Sequence, residues 1–253
     1  MTAYSEYEHF TKYGSMNIAP EISVVILCYG AGDRVYSFVD RVSEILDRFV
    51  PSWEMVLVGN YFDGARDKTS DIVEGIAAKR ENIHAVVLPK KGMMGWDARS
   101  GLEKARGKYV CLIDGDEQMP YRDIVRVYRK IKKDEFDLVK TYRAVRQDGI
   151  KRIVISQVYN FLFMVLFPGI SSRDINSKPK IFRKEVFERM DLKSDDWFLD
   201  AEIMIKARKL KLKIGMVPSK FYKCDYRGSF VKLGTIFEFL GNMLRARLSE
   251  FVN

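Results

Sequence analysis

Ile22 to Tyr29 (ISVVILCY) is an unbroken apolar run that stops at Gly30-Ala31-Gly32-Asp33. A run of this kind predicts a strand buried on both faces that ends in a loop. Behind it, Val35, Phe38, Val39, Val42, Ile45, Leu46 and Phe49 recur at helical spacing as far as Pro51, which predicts an amphipathic helix. The unit then repeats, with strands predicted over 55–58, 85–88 and 108–113 and helices over 70–80 and 96–105. Strand and helix in alternation predict a parallel sheet joined by right-handed crossovers.

Past Pro120 the rhythm loosens. The pattern predicts a charged helix over 122–133, a strand over 138–142, an apolar patch over 158–167, a strand over 179–182, a helix over 201–210 and a strand over 213–217. Residues 230–248 place Phe230, Leu233, Phe237, Leu240, Leu244 and Leu248 on one face of an amphipathic helix, with Arg245 and Arg247 near its end. There is no internal repeat and no Pro/Ser-rich linker, so the expected organisation is a lead-in over 1–20, one domain over 21–228 and a C-terminal helix over 229–253. The patch 158–167 stops at Pro168-Gly169, about half of the ~20 residues a membrane-crossing helix needs. The N-terminus is polar, with Glu6 and Glu8 where an export signal would be basic and apolar.

Composition narrows the function classes. In 253 residues, 47% hydrophobic and 30% charged positions exclude a mainly disordered chain. Cys28, Cys111 and Cys224 are scattered and odd in number, which argues against a disulfide scaffold or zinc site and for a reducing compartment. The net charge of +9 predicts an anionic partner. It is unevenly spread: 14 basic and 18 acidic residues up to Pro120, then 29 basic and 16 acidic. The basic residues are not interleaved with aromatics in a recognisable motif, so no nucleic-acid partner is expected.

The sharpest candidate chemistry is Asp114-Gly115-Asp116, directly after the predicted strand KYVCLI. Two carboxylates there can share a hard divalent ion whose other ligands are phosphate oxygens and water, although a plain turn is the simpler reading of the tripeptide. Asp33, Asn60 and Asp67 follow the first two strands, each of them also explicable as a cap or turn residue. Gly92-Met-Met-Gly95-Trp-Asp97 precedes a helix, where backbone N–H groups approach phosphates, but it lacks the G-x-G-x-x-G and Walker spacings. Asp200 and Glu202 form a second carboxylate pair at a helix start, where they also serve as dipole partners. Arg143, Arg146 and Arg152 precede the apolar patch, and this patch and the last helix fit either core or an anionic lipid surface.

Taken together, ISVVILCYG, VLVGN with its Asp-Lys-Thr loop, GMMGWDARSGLEKARGKYVCLIDGDEQMP, DINSKPKIFRKE and WFLDAEIMIKA resemble the inverting glycosyltransferases of family 2, which have the GT-A fold. Within that family the sequence looks most like the dolichyl- and polyprenyl-phosphate sugar synthases. The resemblance implies an α/β, Rossmann-like, mostly parallel sheet flanked by helices. It also implies a UDP- or GDP-sugar donor held around Tyr29, Asp33, Asn60, Asp67, Gly95, Asp97, Asp114, Gly115 and Asp116, with Mg²⁺ or Mn²⁺ on Asp114 and Asp116. Asp200 or Glu202 would face the acceptor. Tyr226-Arg-Gly-Ser-Phe-Val-Lys232 resembles a segment that closes over phosphates, so Arg227 and Lys232 would stabilise the leaving group. The implied activity is hexose transfer to a polyprenyl phosphate by a cytoplasmic protein, peripheral on the inner face of the membrane. Gly59-Asn60 departs from the family, where two acidic residues commonly end the second strand. The alternatives are a family 2 enzyme acting on a sugar or metabolite hydroxyl and a nucleotidyltransferase. The latter would need an early basic, Gly-rich phosphate loop. The possibility of a homo-oligomer stays open.

Overall fold

The computed structural model describes residues 19–64, 67–147, 149–170, 173–223 and 233–252. The first half runs β1 (Ile22–Leu27), α1 (Arg34–Phe49), β2 (Trp53–Val58), α2 (Lys68–Ala77), β3 (Ile83–Val86), α3 (Met94–Lys104), β4 (Tyr109–Asp114) and α4 (Asp123–Lys133). The second runs β5 (Leu138–Arg146), α5 (Ile150–Leu166), β6 (Lys180–Arg183), α6 (Lys184–Met190), α7 (Leu199–Lys209), β7 (Ile214–Phe221) and α8 (Leu233–Val252).

The seven strands among the described residues join one sheet in the order β3-β2-β1-β4-β6-β5-β7. The first four are mutually parallel, β6 is antiparallel to both β4 and β5, and β7 is parallel to β5. The chain builds outward from β1 to β3 and then returns to place β4 on the other side of β1. Such a reversal opens a crevice at the carboxyl ends of the two strands, where open α/β sheets bind ligands. Leu27 and Asp114 are register partners there.

Both faces of β1 are covered, which is why its residues read as a continuous apolar run. Ile22, Val24 and Ile26 pack with α1, α2 and α4, while Val25 and Leu27 pack with the layer of α3, α5 and α7. Near the amino end of β1, the buried Glu54 accepts hydrogen bonds from Ser23 Oγ at 2.6 Å, Arg106 N at 2.7 Å and the Arg106 guanidinium at 2.7 and 3.0 Å. Burial alone would raise the Glu54 carboxyl, but these donors outweigh it and hold the group below its usual 4.5. Glu54→Gln is therefore expected to cost about 2 kcal/mol in a denaturant melt at neutral pH. A depressed carboxyl contributes fully above its unfolded value and loses that contribution as pH falls through the folded one. The gap between wild type and variant should accordingly close on acidification below about pH 4.

The structure moves several expected boundaries. The third strand lies at 83–86 rather than 85–88, because Ile83–Val86 pairs with Met55–Val58 and Leu88 N turns to Asn60 Oδ1 at 2.9 Å. The patch 158–167 is the carboxyl half of α5, and seven-residue α6 follows β6 without a break. β7 continues through Pro218 to Phe221, which an edge strand tolerates. The C-terminal helix packs on α5 through Phe239 and Met243, with the rings of Tyr159 and Phe239 5.2 Å apart. This corrects the expected stripe. Leu244 and Leu248 on it are 55% and 63% exposed, because the face that fits α5 is rotated from it. The side chains of Phe230, Leu233 and Phe237 lie outside the described residues.

Candidate active site

Asp114 is the last residue of β4, so the strand itself carries its carboxylate to the mouth of the crevice. Gly115 N donates to Leu27 O at 2.9 Å, and a Cβ at Gly115 would lie 3.0 Å from that same oxygen, so the close approach of the two strand ends favours glycine. Asp116 follows in a turn, its Oδ1 accepting from Gln118 N at 3.1 Å. Gln118 in turn exchanges two bonds with the backbone of Tyr222, which ties this loop to the segment leaving β7. Asp116 opens into a cleft of about 580 Å³ whose walls carry Arg34, Arg41, Tyr121, Arg122 and Lys223.

Behind Asp114 lies a buried charge cluster. Asp200, on the first turn of α7 and 2% exposed, accepts from Lys178 Nζ at 3.0 Å and Lys180 Nζ at 2.5 Å. Lys178 Nζ also lies 3.3 Å from Asp114 Oδ2, so a single ammonium joins the two carboxylates. Burial would raise the Asp200 carboxyl, but Lys178 and Lys180 outweigh it and hold Asp200 below the usual value. Asp114 is shifted the other way. Burial raises it, Lys178 opposes this, and repulsion from Asp116 and Asp200 adds to the rise. Deeper in the cluster, Lys140 Nζ donates to the carbonyls of Thr141, Arg173 and Asp174 at 2.8, 2.8 and 2.7 Å. Burial, helped by repulsion from Lys180, pulls Lys140 down to about 7. The Asp174 carboxylate grips the Arg143 guanidinium through both oxygens; burial would raise it, but Arg143 holds it down at about 2.

The sequence reading did not single out Lys178 and Lys180. Its available signal was two lysines two residues apart at the start of a strand, which places both on one face, since strand side chains alternate. Glu202, by contrast, accepts from the backbone N–H groups of Lys193 and Ser194 at 2.8–3.1 Å and is a capping group for that loop.

Other expected contacts turn out to be internal. Asn60 is buried and satisfied, donating to Asp97 Oδ1 and Ser100 Oγ at 3.0 Å and accepting from Leu88 N. Asp97 is also buried and paired with Lys90; burial raises its carboxyl against the pull of that lysine. Asp67 caps α2 through Thr69 N at 2.8 Å, and Asp33 is exposed at the start of α1. The expected phosphate approach ahead of α3 is closed. Met93 N and Trp96 N donate to Asp195 O, Gly95 N donates to Asp196 O, and a Cβ on Gly95 would meet Ser194 O at 2.4 Å. The glycine thus serves close backbone packing. Tyr29 does stand at the crevice, edge-on to Phe62 at 6.1 Å, with Lys90 Nζ 4.2 Å from its ring centre. Phe62 and Lys90 are additions to the expected set. Arg227 and Lys232 lie outside the described residues.

Among the described residues no group of three or more His, Cys, Asp or Glu could hold a metal by itself. The pair Asp114 and Asp116 nevertheless fits a hard divalent ion that completes its shell with diphosphate oxygens and water.

Residues 23–191 match the sequence model described as glycosyl transferase family 2. The chain is 27% identical over 206 residues to glycosyltransferase AglD of Haloferax volcanii, covering 78% of this chain and 32% of that protein. It is 24% identical over 224 residues to the dolichyl-phosphate beta-glucosyltransferase of Dictyostelium discoideum (81% and 67%). To the dodecaprenyl-phosphate galacturonate synthase of Rhizobium johnstonii it is 26% identical over 175 residues (68% and 50%). The chain thus spans about two thirds of the second relative and half or less of the other two. Glucosyl-3-phosphoglycerate synthase from Mycobacterium tuberculosis, solved with Mn²⁺, UDP and glucosyl-3-phosphoglycerate, shares the fold. Its TM-score is 0.68 at 17% identity, over 90% of this chain and 80% of that one.

Proposed function

Because the chain belongs to glycosyltransferase family 2, we propose that it moves a hexose from a nucleoside diphosphate to a polyprenyl phosphate at a membrane surface. One observation carries the choice of acceptor. Asp200 is clamped by two lysines and Glu202 is bound to backbone, so neither carboxylate is placed to take a proton. A hydroxyl acceptor needs such a base. A phosphate monoester arrives as an anion and needs cations around it instead. The names of two of the relatives, which carry dolichyl and dodecaprenyl phosphate, support the same choice.

In this reading an oxygen of the acceptor phosphate attacks the anomeric carbon. The new C–O bond forms as the bond to the diphosphate breaks, and the electron pair leaves with the nucleoside diphosphate. Tyr29 and Phe62, with Lys90 beside them, offer the base an aromatic corner. Asp114 and Asp116 would hold Mg²⁺ or Mn²⁺, which supplies charge neutralisation on the diphosphate. Basic side chains on the wall of the cleft, where Arg41 is already paired with Glu117, offset the charge that builds on the leaving group. Arg227 and Lys232, outside the described residues, keep the leaving-group role implied by the resemblance.

The test offers UDP- and GDP-hexoses with Mn²⁺ to a polyprenyl phosphate and to the matching polyprenol. Label on the phosphate alone is the expected result. Label on the alcohol, or on a soluble sugar, would overturn the choice of acceptor.

The membrane half of the proposal is supported by α5. Ile150, Val154, Val158, Phe161 and Val165 recur at spacings of four, four, three and four along one exposed face, 50–81% accessible. Arg152 and Arg245 lie exposed on α5 and α8. An exposed apolar stripe suits the headgroup boundary of a membrane, and basic side chains elsewhere on the two helices add attraction to anionic lipid. No helix among the described residues is long and apolar enough to cross a membrane. β5 points the same way as β4, so α5 departs from the sheet edge that carries Asp114. Residues 21–228 would then be the transferase domain, with the last helix lying against lipid beside α5. The double variant Phe161→Asp, Val165→Asp should sediment with phosphatidylglycerol vesicles at least about tenfold more weakly than wild type. Its melting temperature should be unchanged, since both positions are exposed.

A further inference from the structure

We propose that Lys178 is a tethered cation that occupies part of the metal's electrostatic place at Asp114 and so makes metal binding depend on the arrival of the nucleotide. This rests on the reading of Asp114 and Asp116 as metal ligands.

The position of Lys178 is held from several sides. Its carbonyl accepts from Thr141 Oγ1 at 2.7 Å, that hydroxyl also lies 2.8 Å from Ser177 Oγ, and the lysine side chain is 5% exposed. Its ammonium divides between Asp200 Oδ2 at 3.0 Å and Asp114 Oδ2 at 3.3 Å. Lys180, by contrast, has its carboxylate contact with Asp200, at 2.5 Å. Lys178 is thus the lysine of the cluster that reaches the first carboxylate of the D-G-D turn. Asp114 is the more open partner, its side chain 34% exposed, while Asp200 is closed in.

A divalent ion arriving at Asp114 therefore meets a carboxylate whose charge is already partly used. It must also accept a like-charged neighbour that the surrounding backbone and Asp200 keep in place. In a partly desolvated site a unit charge at this range changes an ion's affinity by about tenfold or more. A nucleoside diphosphate reverses the balance, since its phosphates attract both the ion and the ammonium. The two ligands then bind with positive coupling, each raising the affinity for the other by the same factor. Once the ion is shared with the diphosphate, Lys178 keeps its second anchor on Asp200 and remains a cation at the back of the site.

The experiment measures Mn²⁺ binding by the electron paramagnetic resonance signal of the free ion, with and without UDP or GDP. It compares wild type with Lys178→Met, Lys178→Gln and Lys178→Arg. Without nucleotide, the methionine and glutamine variants should bind Mn²⁺ about tenfold more tightly than wild type, and the arginine variant should stay near wild type. The gain in Mn²⁺ affinity on adding nucleotide should shrink by a similar factor in the two neutral variants. Glutamine keeps a hydrogen-bonding head for Asp200 and serves if the methionine variant fails to fold, which a thermal melt reports. Equal or weaker Mn²⁺ binding in a folded neutral variant overturns the proposal, as does equal tightening by arginine. If wild type takes up Mn²⁺ with nucleotide and the neutral variants gain nothing without it, only the role of Lys178 falls. If no form binds Mn²⁺ even with nucleotide, the metal reading falls with it.

Discussion

Asp116→Ala is expected to abolish sugar transfer, by about a thousandfold or more, while the protein stays folded. Asp116 sits at the edge of the cleft, in a loop outside the strands and helices, where its carboxylate accepts from Gln118 N within its own turn. Asp116→Asn can keep that bond without the charge and should lose nearly as much activity. A thermal-shift assay separates the two effects: nucleoside diphosphate with Mn²⁺ should raise the melting temperature of wild type and leave that of either variant unmoved. Transfer by Asp116→Ala at a wild-type rate would sink the assignment of this turn to the donor diphosphate.

Asp200→Ala should act on stability first. It leaves Lys180 without its carboxylate and Lys178 leaning on Asp114 alone, both ammonium groups being buried. Breaking a buried pair in this way costs about 3–5 kcal/mol, or roughly 10 °C of melting temperature for a domain of this size. The depressed carboxyl of Asp200 contributes fully at neutral pH and loses its contribution as pH falls through its folded value, so the penalty should shrink toward strong acid. A melting temperature equal to wild type, with kcat lowered and the acidic limb of the pH profile gone, would instead make Asp200 a proton acceptor and favour a hydroxyl substrate.

What could be read in advance depended on how local the cause was. β1 and α1 were legible because a strand covered on both faces has no polar alternation and a helix covered on one face has a clear period. The Asp114-Gly115-Asp116 turn was legible because three adjacent residues and the strand before them carry it. The clamp on Asp200 was not, since Lys178 and Lys180 meet it only after β6 enters the sheet and α7 packs behind it. Asn60 and Asp97 looked like ligand contacts for the same reason: their mutual bond joins residues 37 positions apart. Gly95 drew the wrong inference because a glycine ahead of a helix suits a phosphate and a crossing backbone equally well, and here the crossing backbone is the loop 194–196. In α8 the apolar period was visible, but the choice between two adjacent faces belonged to the shape of α5.

The place of β6 has a consequence for biosynthesis. It lies between β4 and β5 and is made after both, with about seventy residues separating Tyr109 from its partner Arg183. During vectorial synthesis the four parallel strands can assemble early, yet the β4 side stays an open edge until residue 183 has left the ribosome. Open edges of this kind invite pairing with other chains, and pairings between distant segments form slowly. The half-made protein should therefore be most exposed to aggregation and to chaperones in the interval between the emergence of β4 and that of β6.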